Sequence, residues 1–288
     1  MRPHQTPHRR ATWATVAAAI ILVAFGAPAG GQEAVGSADE VAAQLANPNA
    51  VLGKMGFNFD YTAYAGDLPS AGDQSAFKLV FQPSLPYPTD RGFNVFVRPA
   101  VPIVITQDVP AADGFEGRGV DLGDIGFDAA LGKSFASGMV LVGGVVGTLP
   151  TATDDALGRD QWMLGPELAV AKVGKAGVAG VLITHQWDVA GEDAYDTSIT
   201  GGQYFLTYNL ENAWQLTTSP SFSYDHEAPS GQRLTFPLGV GVAKTTVIGG
   251  RPWKLSTEYW HYIEHADAFG PGWQLRFTVT PVVPLPWG

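Results

Sequence analysis

Apolar and polar residues alternate one by one through most of this chain, and this alternation limits its fold more than any other feature. The clearest stretch runs from Trp214 to Asp225, where Trp, Leu, Thr, Pro, Phe and Tyr take the even positions and Gln, Thr, Ser and Asp the odd ones. Successive side chains of a β-strand point to opposite faces, so a period of two predicts strands with one apolar and one polar face. Trp273–Val279 and Phe57–Tyr61 repeat the pattern. The chain is therefore predicted to be mostly β-strand.

Segments of this kind recur between residues 55 and 283, and we count 12 of them. They are 55–65, 74–83, 92–105, 120–133, 139–149, 162–173, 177–189, 199–210, 214–225, 233–246, 253–263 and 272–283. Each has about the length that a tilted strand needs to cross a bilayer, and an even number leaves both chain ends on one side. The sequence predicts an all-β fold, an antiparallel transmembrane β-barrel of about 12 strands.

The predicted lipid face and the predicted loops both fit a membrane barrel. Aromatic residues lie near the ends of the apolar faces, where amphipathic rings suit the headgroup level. Only 15% of the residues are charged, against about 25% in an average soluble domain. Alternate connections are longer and acidic, as expected for the outward loops of such a barrel. These connections are 106–119, 150–161, 190–198 (with Glu192 and Asp193), 226–232 and 264–271.

The first residues are predicted to be an export signal. Arg2, Arg9 and Arg10 precede an apolar run from Ala14 to Phe25, and Ala27–Ala29 supplies small residues for cleavage. This order is that of a secretory signal peptide over residues 1–29, and its apolar core is too short to span a membrane comfortably. Removing it changes the net charge from −10 to −13, because 14 basic residues then face 27 acidic ones. So acidic a chain is not expected to bind nucleic acid.

Residues 30–54 are predicted to form a separate N-terminal segment before the barrel domain, 55–288. Ser37 and Glu40 have the spacing of a capping box, and a short helix is expected to run through Leu45 and to stop by Asn47-Pro48. We expect this helix to lie in the periplasm or inside the barrel mouth.

The order of several motifs resembles a family of outer-membrane proteins, the meta-pathway phenol-degradation family. The resemblance runs from Ala43 to about Pro284 and depends on the order of its motifs: Leu149–Asp155, Trp162 with Gly165-Pro166, His185–Trp187 before Ala190–Asp193, Gln203–Tyr208, Pro237–Lys244 and Gly272–Phe277. It implies an outer-membrane barrel associated with uptake of small, often apolar or aromatic compounds, and it implies no catalytic residues. Such barrels commonly end in an aromatic residue that the barrel-assembly machinery reads, and Phe277 or Trp287 is the candidate here.

The polar faces of the predicted strands carry charges of both signs into the expected lumen. These candidate lumen-lining residues are Asp60, Lys78, Arg98, Asp124, Asp128, Glu167, Asp188, Lys254, Glu258 and Arg276. They could line a permeation path or pair across the lumen and plug it, as interior side chains do in small barrels. A second cluster, Thr151, Thr153, Asp154 and Asp155, could shape a loop at the barrel mouth or bind a divalent cation.

Taken together, these patterns favour a channel over an enzyme. The chain has no Cys and no G-x-S-x-G sequence, and four His remain after signal removal: His185, His226, His261 and His265. No cofactor-binding or metal-binding motif is found. We expect passive uptake of small solutes, hydrophobic or aromatic ones included, in the outer membrane, where lipid and lipopolysaccharide surround the barrel. A non-conducting structural or adhesive barrel and an outer-membrane hydrolase are the alternatives.

Overall fold

The computed structural model describes residues 37–191 and 195–287, which form one helix and twelve long strands. The helix, α1, is Ala38–Ala46. The strands are β1 Gly53–Ala65, β2 Ser75–Ser84, β3 Asn94–Ala111, β4 Ile125–Ser134, β5 Met139–Leu149, β6 Gln161–Gly174, β7 Gly177–Gly191, β8 Ser198–Asn209, β9 Trp214–Thr218 with Ser221–Asp225, β10 Leu234–Ile248, β11 Arg251–Glu264 and β12 Gly270–Val283. Short pieces complete the fold: the strand segments Tyr87–Pro88, Gly114–Arg118 and Asp121–Leu122, and the 3-10 turns Ala71–Asp73 and Asp155–Leu157. The predicted signal peptide, Glu192 and Asp193 lie outside the described residues.

The sheet closes on itself. Each long strand pairs antiparallel with the strands before and after it, and β1 pairs with β12 from Gly53 opposite Val283 to Ala65 opposite Gly270. Closure leaves none of the twelve strands with an unpaired edge. The predicted 12-stranded antiparallel barrel is confirmed, and most strand ends lie within a few residues of the predicted ones.

Three strands differ from the prediction, and one of them, β4, begins at Ile125 where residue 120 was expected. β3 continues beyond the predicted residue 105 to Ala111 and pairs with Gly114–Arg118. Most of the expected loop 106–119 is therefore a β-hairpin. β9 is interrupted at Ser219-Pro220. Proline has no N–H to donate to a ladder, and the Ser219 N–H donates to the Glu258 carboxylate instead, at 2.7 Å.

The apolar faces of the strands point outward. Val240 is 65% exposed, and Leu168, Trp187 and Tyr208 are also exposed. Inward positions hold many small and polar side chains, and the inward Asp60, Gln215 and Glu258 are buried. This arrangement is the reverse of a soluble β-protein and is the one expected of a barrel whose outer wall meets lipid.

The helix α1 lies inside one end of the barrel, and its capping box is present as predicted. The Ser37 N–H donates to Glu40 Oε2 at 2.8 Å, and the Glu40 N–H donates to Ser37 Oγ at 3.3 Å. The Ala213 N–H donates to Asp39 Oδ1 at 2.6 Å, and Gln215 Nε2 donates to the Ala42 carbonyl at 3.1 Å. These bonds tie α1 to the inner wall at the barrel mouth. Within the described part of the chain, no helix is long and apolar enough to cross a membrane, and α1 has nine residues.

Candidate functional site

Charged and polar side chains lie close together inside the barrel, on the part of the wall that β1 and β12 form. Arg276 on β12 donates to Asp60 on β1 through two bonds, Nε to Oδ1 at 2.6 Å and Nη2 to Oδ2 at 2.7 Å. The Arg276 guanidinium also lies over the Trp260 ring, 4.3 Å from its centre. Lys78, the β2 register partner of Asp60, lies beside this pair. A guanidinium fixed by two parallel bonds and a ring face has a set position in the lumen.

Glu258 on β11 reaches across β10 to the break in β9. Its carboxylate accepts hydrogen bonds from the Ser219 N–H at 2.7 Å, from Ser219 Oγ at 2.8 Å and from Trp260 Nε1 at 3.0 Å. Two glycines of β10 make this crossing possible. A Cβ on Gly241 would lie 2.6 Å from Glu258 Cγ, and one on Gly239 would lie 2.7 Å from Thr218 Oγ1 and 2.8 Å from Trp260 Cδ1.

A second ion pair lies on β3 and β4. Arg98 Nε donates to Asp128 at 2.8 Å from Oδ2 and 3.0 Å from Oδ1, and the two residues are register partners. Glu167 on β6 is also buried, and among the described residues its Oε1 has no hydrogen-bond partner. Arg98 therefore neutralises only part of the negative charge that Asp128 and Glu167 place on this part of the lumen wall.

A cavity of about 350 Å³ lies between these groups and α1. Five of the predicted lumen residues line it: Arg98, Asp128, Lys254, Glu258 and Arg276. Lys54, Gln203 and several Ser and Thr side chains complete the polar part of its wall. Asp60 lies behind Arg276, while Lys78 and Glu167 are outside the cavity lining.

The inner wall is not polar throughout. Small apolar side chains of β4 to β7 form a buried cluster: Ala130, Val140, Val142, Ala169, Ala171 and Val178. Ala46, Leu182 and Phe205 pack against this cluster. The Gly- and Val-rich strand β5 has little polar contrast because its inward Val140 and Val142 belong to this cluster.

That segment is held in the lumen by Asn49, one residue after Pro48. Asn49 Nδ2 donates to Ser134 Oγ at 2.9 Å, and Asn94 Nδ2 donates to the Asn49 carbonyl at 2.9 Å. Gly132 leaves the room, because a Cβ there would lie 2.1 Å from Asn49 Oδ1. The segment therefore narrows the lumen at the end of the barrel that contains the first residues of β1 and the last residues of β12.

Two predicted lumen residues hold loops at the opposite end of the barrel. Asp124 accepts hydrogen bonds from the N–H groups of Thr151 at 3.1 Å, Ala152 at 3.0 Å and Arg159 at 2.8 Å. Asp188 accepts one from the Thr197 N–H at 2.6 Å. The Asp124 carboxylate accepts backbone N–H groups on both oxygens and the Asp188 carboxylate on one, so both hold loops in place.

The Thr-Ala-Thr-Asp-Asp cluster belongs to the same loop. Thr151 Oγ1 accepts from the Ile125 N–H at 2.9 Å, Thr153 Oγ1 accepts from the Leu122 N–H at 3.0 Å, and Asp154 caps the 3-10 turn that contains Asp155. Asp154 also lies 3.3 Å from Arg118 Nε. The hydrogen bond with Glu116 and the nearby charge of Asp154 raise the pKa of Arg118. Within the described ranges, no three His, Cys, Asp or Glu side chains converge as metal ligands.

Two of the four His residues meet on the outer wall near these loops. His185 Nδ1 lies 2.8 Å from Thr200 Oγ1, which lies 2.9 Å from His226 Nε2. Ser198 Oγ lies 3.4 Å from His185 Nε2, and the His185 ring contacts Trp187 with centroids 4.2 Å apart. The group faces the outside of the barrel, away from the cavity.

Sequence reasoning missed Lys54, Ser219, Trp260 and Asn49. Lys54 has the same parity as Asp60 and could have been found by extending the first predicted strand by one residue. Ser219 and Trp260 bind the Glu258 carboxylate, and this contact depends on the break in β9 and on the glycines of β10. The sequence alone does not show that these elements lie in contact. Asn49 follows a helix whose position was left open.

Comparison with known proteins gives structural matches only. No family model matches the chain, and no curated protein matches it in sequence. The fold is similar to the COG4313 outer membrane channel from Pseudomonas putida F1, with a TM-score of 0.64, 13% identity, and coverage of 81% of this chain and 96% of that one. It is also similar to the NanC porin, with a TM-score of 0.50, 6% identity, and coverage of 80% and 100%. These matches show the fold, a closed antiparallel β-barrel.

Proposed function

We propose that this protein is an outer-membrane channel that admits small solutes by passive diffusion. A closed barrel with an apolar outer wall supports a membrane location, and the predicted signal peptide supports export to the outer membrane. The structural neighbours are outer-membrane channels and porins, which supports a channel over an enzyme.

The observation that carries the proposal is the cavity inside the barrel. Its volume of about 350 Å³ lies in the range of small-molecule sites, roughly 300–1,000 Å³. Its wall combines fixed charges, hydroxyl groups and the apolar side chains of Leu45, Leu182 and Phe205. Such a wall offers hydrogen bonds to a polar group and contact area to an apolar one. Small solutes that carry both, aromatic compounds among them, are the proposed cargo.

The two ion pairs lie along the wall of the lumen and do not fill it. Arg276 with Asp60 and Arg98 with Asp128 pair on neighbouring strands of the wall, not across the lumen. Paired charges held against the wall leave the cavity between them open. We therefore favour the permeation path over the plug, with the N-terminal segment as the narrowest part of the path.

Conductance and uptake test this function directly. The purified full chain in planar bilayers should give stepwise ion currents, and liposomes that contain it should take up benzyl alcohol faster than protein-free liposomes do. Heat-denatured protein is the control for leakage. If bilayers with folded protein, verified by heat-modifiable migration on gels, give no current and no uptake, the non-conducting structural or adhesive barrel is the better interpretation.

The hydrolase is a second candidate, because one observation favours it. If His185 Nδ1–H donates to Thr200 and the Thr200 hydroxyl donates to His226, His185 Nε2 is left to accept the Ser198 proton, as a general base would. A Ser198→Ala variant separates the two functions. It should leave conductance unchanged, and it should abolish any esterase activity toward phospholipid or short-chain esters that depends on this group.

A further inference from the structure

Four basic residues line the cavity, and one of them, Arg276 on β12, is bound by Asp60. The other three lie on alternate strands. Arg98 lies on β3, Lys54 on β1 and Lys254 on β11, and all three line the cavity wall. Hydroxyl-bearing residues occupy the strands between them: Ser84, the register partner of Lys54, on β2, and Thr280, the register partner of Lys254, on β12. Neighbouring strands lie about 4.8 Å apart, so the two lysine strands are separated by roughly 10 Å. This five-strand stretch is the cationic arc.

The acidic residues near the arc already have partners. Asp128 is bound by Arg98, Asp60 by Arg276, and Glu258 by Ser219 and Trp260. Over the described residues, neither Lys54 Nζ nor Lys254 Nζ has a carboxylate oxygen within 4.0 Å. Glu167, the acid with an unsatisfied oxygen, lies on β6 and does not line the cavity. The arc therefore presents two ammonium groups whose charge the protein leaves unpaired.

Apolar side chains form part of the wall away from the arc, beside the polar Gln203 and Thr207 of β8. Leu45 of α1, Leu182 of β7 and Phe205 of β8 line the same cavity. Confined charges are costly unless an opposite charge compensates them. A cavity that has two unpaired lysines in one part of its wall and Leu182 and Phe205 in another is suited to an anion with an apolar body.

We propose that this cavity is a binding site for small organic carboxylates with an apolar body, of which benzoate is the simplest aromatic example. Lys54 and Lys254 bind the carboxylate, and Leu182 and Phe205 contact the ring. Ser84 and Thr280 supply further hydrogen bonds between the lysines. The inference rests on the proposed channel function, of which it names the solute class. A site of this kind would raise the local concentration of the solute while its exposure to the lumen allows release.

Equilibrium dialysis of labelled benzoate against the full chain in detergent tests the site without any need for conduction. We expect saturable binding, with one benzoate per chain. A Lys54→Gln/Lys254→Gln variant should weaken this binding by roughly tenfold or more, because charge-assisted hydrogen bonds are lost. Lys172→Gln is the matched control, since Lys172 Nζ donates to the Ser137 carbonyl at 2.5 Å, away from the cavity. Equal loss in the control, or none in the double variant, would overturn the proposal.

Two further probes separate the parts of the site. Benzylamine should not bind, and Phe205→Ala should weaken benzoate more than acetate, because only benzoate has a ring to contact. In planar bilayers, benzoate should reduce the chloride current at concentrations where benzyl alcohol does not. If currents and benzyl alcohol uptake are normal while no benzoate binds, the proposed channel stands and this inference fails. If benzoate binds but no current is found, the site stands and the channel function fails.

Discussion

Arg276 and Asp60 join the last strand of the barrel to the first through two parallel hydrogen bonds, Nε to Oδ1 at 2.6 Å and Nη2 to Oδ2 at 2.7 Å. The two residues are register partners, so the ion pair lies on the seam that closes the sheet. Asp60 is 3% exposed. Because water hardly reaches the Asp60 carboxylate, the Arg276 guanidinium is what stabilises its negative charge.

Replacing Arg276 by Met is expected to destabilise the barrel by about 3–5 kcal/mol, because it leaves a buried carboxylate without a partner. Urea unfolding in lipid vesicles, followed by Trp fluorescence, measures this. The double variant Asp60→Leu/Arg276→Met should recover most of the loss, since no charge remains buried. Arg118→Met removes solvent-accessible pairs with Glu116 and Asp154 and should cost far less stability than Arg276→Met. A single Arg276→Met variant as stable as the original chain would show that the seam does not depend on this pair.

The outward apolar face leads to a prediction that depends on depth. Leu168 is at the middle of β6 and 56% exposed on the outer wall, whereas Trp162 is near the strand's end and 49% exposed. Leu168→Arg should therefore cost roughly 2–4 kcal/mol in lipid, and Trp162→Arg about 1 kcal/mol or less. Unfolding in vesicles of defined thickness compares them. Similar costs at the two positions would mean that the outer wall does not meet hydrocarbon.

Alternation was sufficient to predict the strands, because a period of two follows directly from the backbone geometry of each strand. It predicted β5 as 139–149, the observed Met139–Leu149, even though this strand has little polar contrast. Which acid would face solute and which would hold a loop was not predictable. Asp124 and Asp128 lie four residues apart, yet the first binds three backbone N–H groups and the second an arginine. The difference depends on where loop 150–160 folds back, a long-range contact that strand periodicity does not encode.

The N-terminal segment is expected to limit conductance. A Cβ on Gly132 would lie 2.1 Å from Asn49 Oδ1 and 2.9 Å from the Phe96 ring, so Gly132→Val should displace Asn49 and the segment attached to it. The single-channel current should then be larger than in the original chain, and deletion of residues 37–49 should increase it further. Gly143→Ala is the control, because its nearest neighbour to a new Cβ is 4.0 Å away. An unchanged current in both the Val variant and the deletion would contradict the assignment of the segment as the narrowest point.

Asp124 is expected to hold the loop 150–160 against the barrel mouth. Its Oδ2 accepts the Arg159 N–H at 2.8 Å, and its Oδ1 accepts those of Thr151 and Ala152. Asp124→Ala removes all three bonds, each worth about 1.5–3 kcal/mol for a charged acceptor, so the loop should open locally while the strands stay paired. Arg159 provides the measurement, since trypsin cleaves after it only when the backbone can enter the protease. The variant in detergent should be cut at Arg159 much faster than the original chain. Asp155→Ala changes an acid of the same loop and should leave the cleavage rate unchanged. Equal rates in all three proteins would show that Asp124 does not restrain the loop.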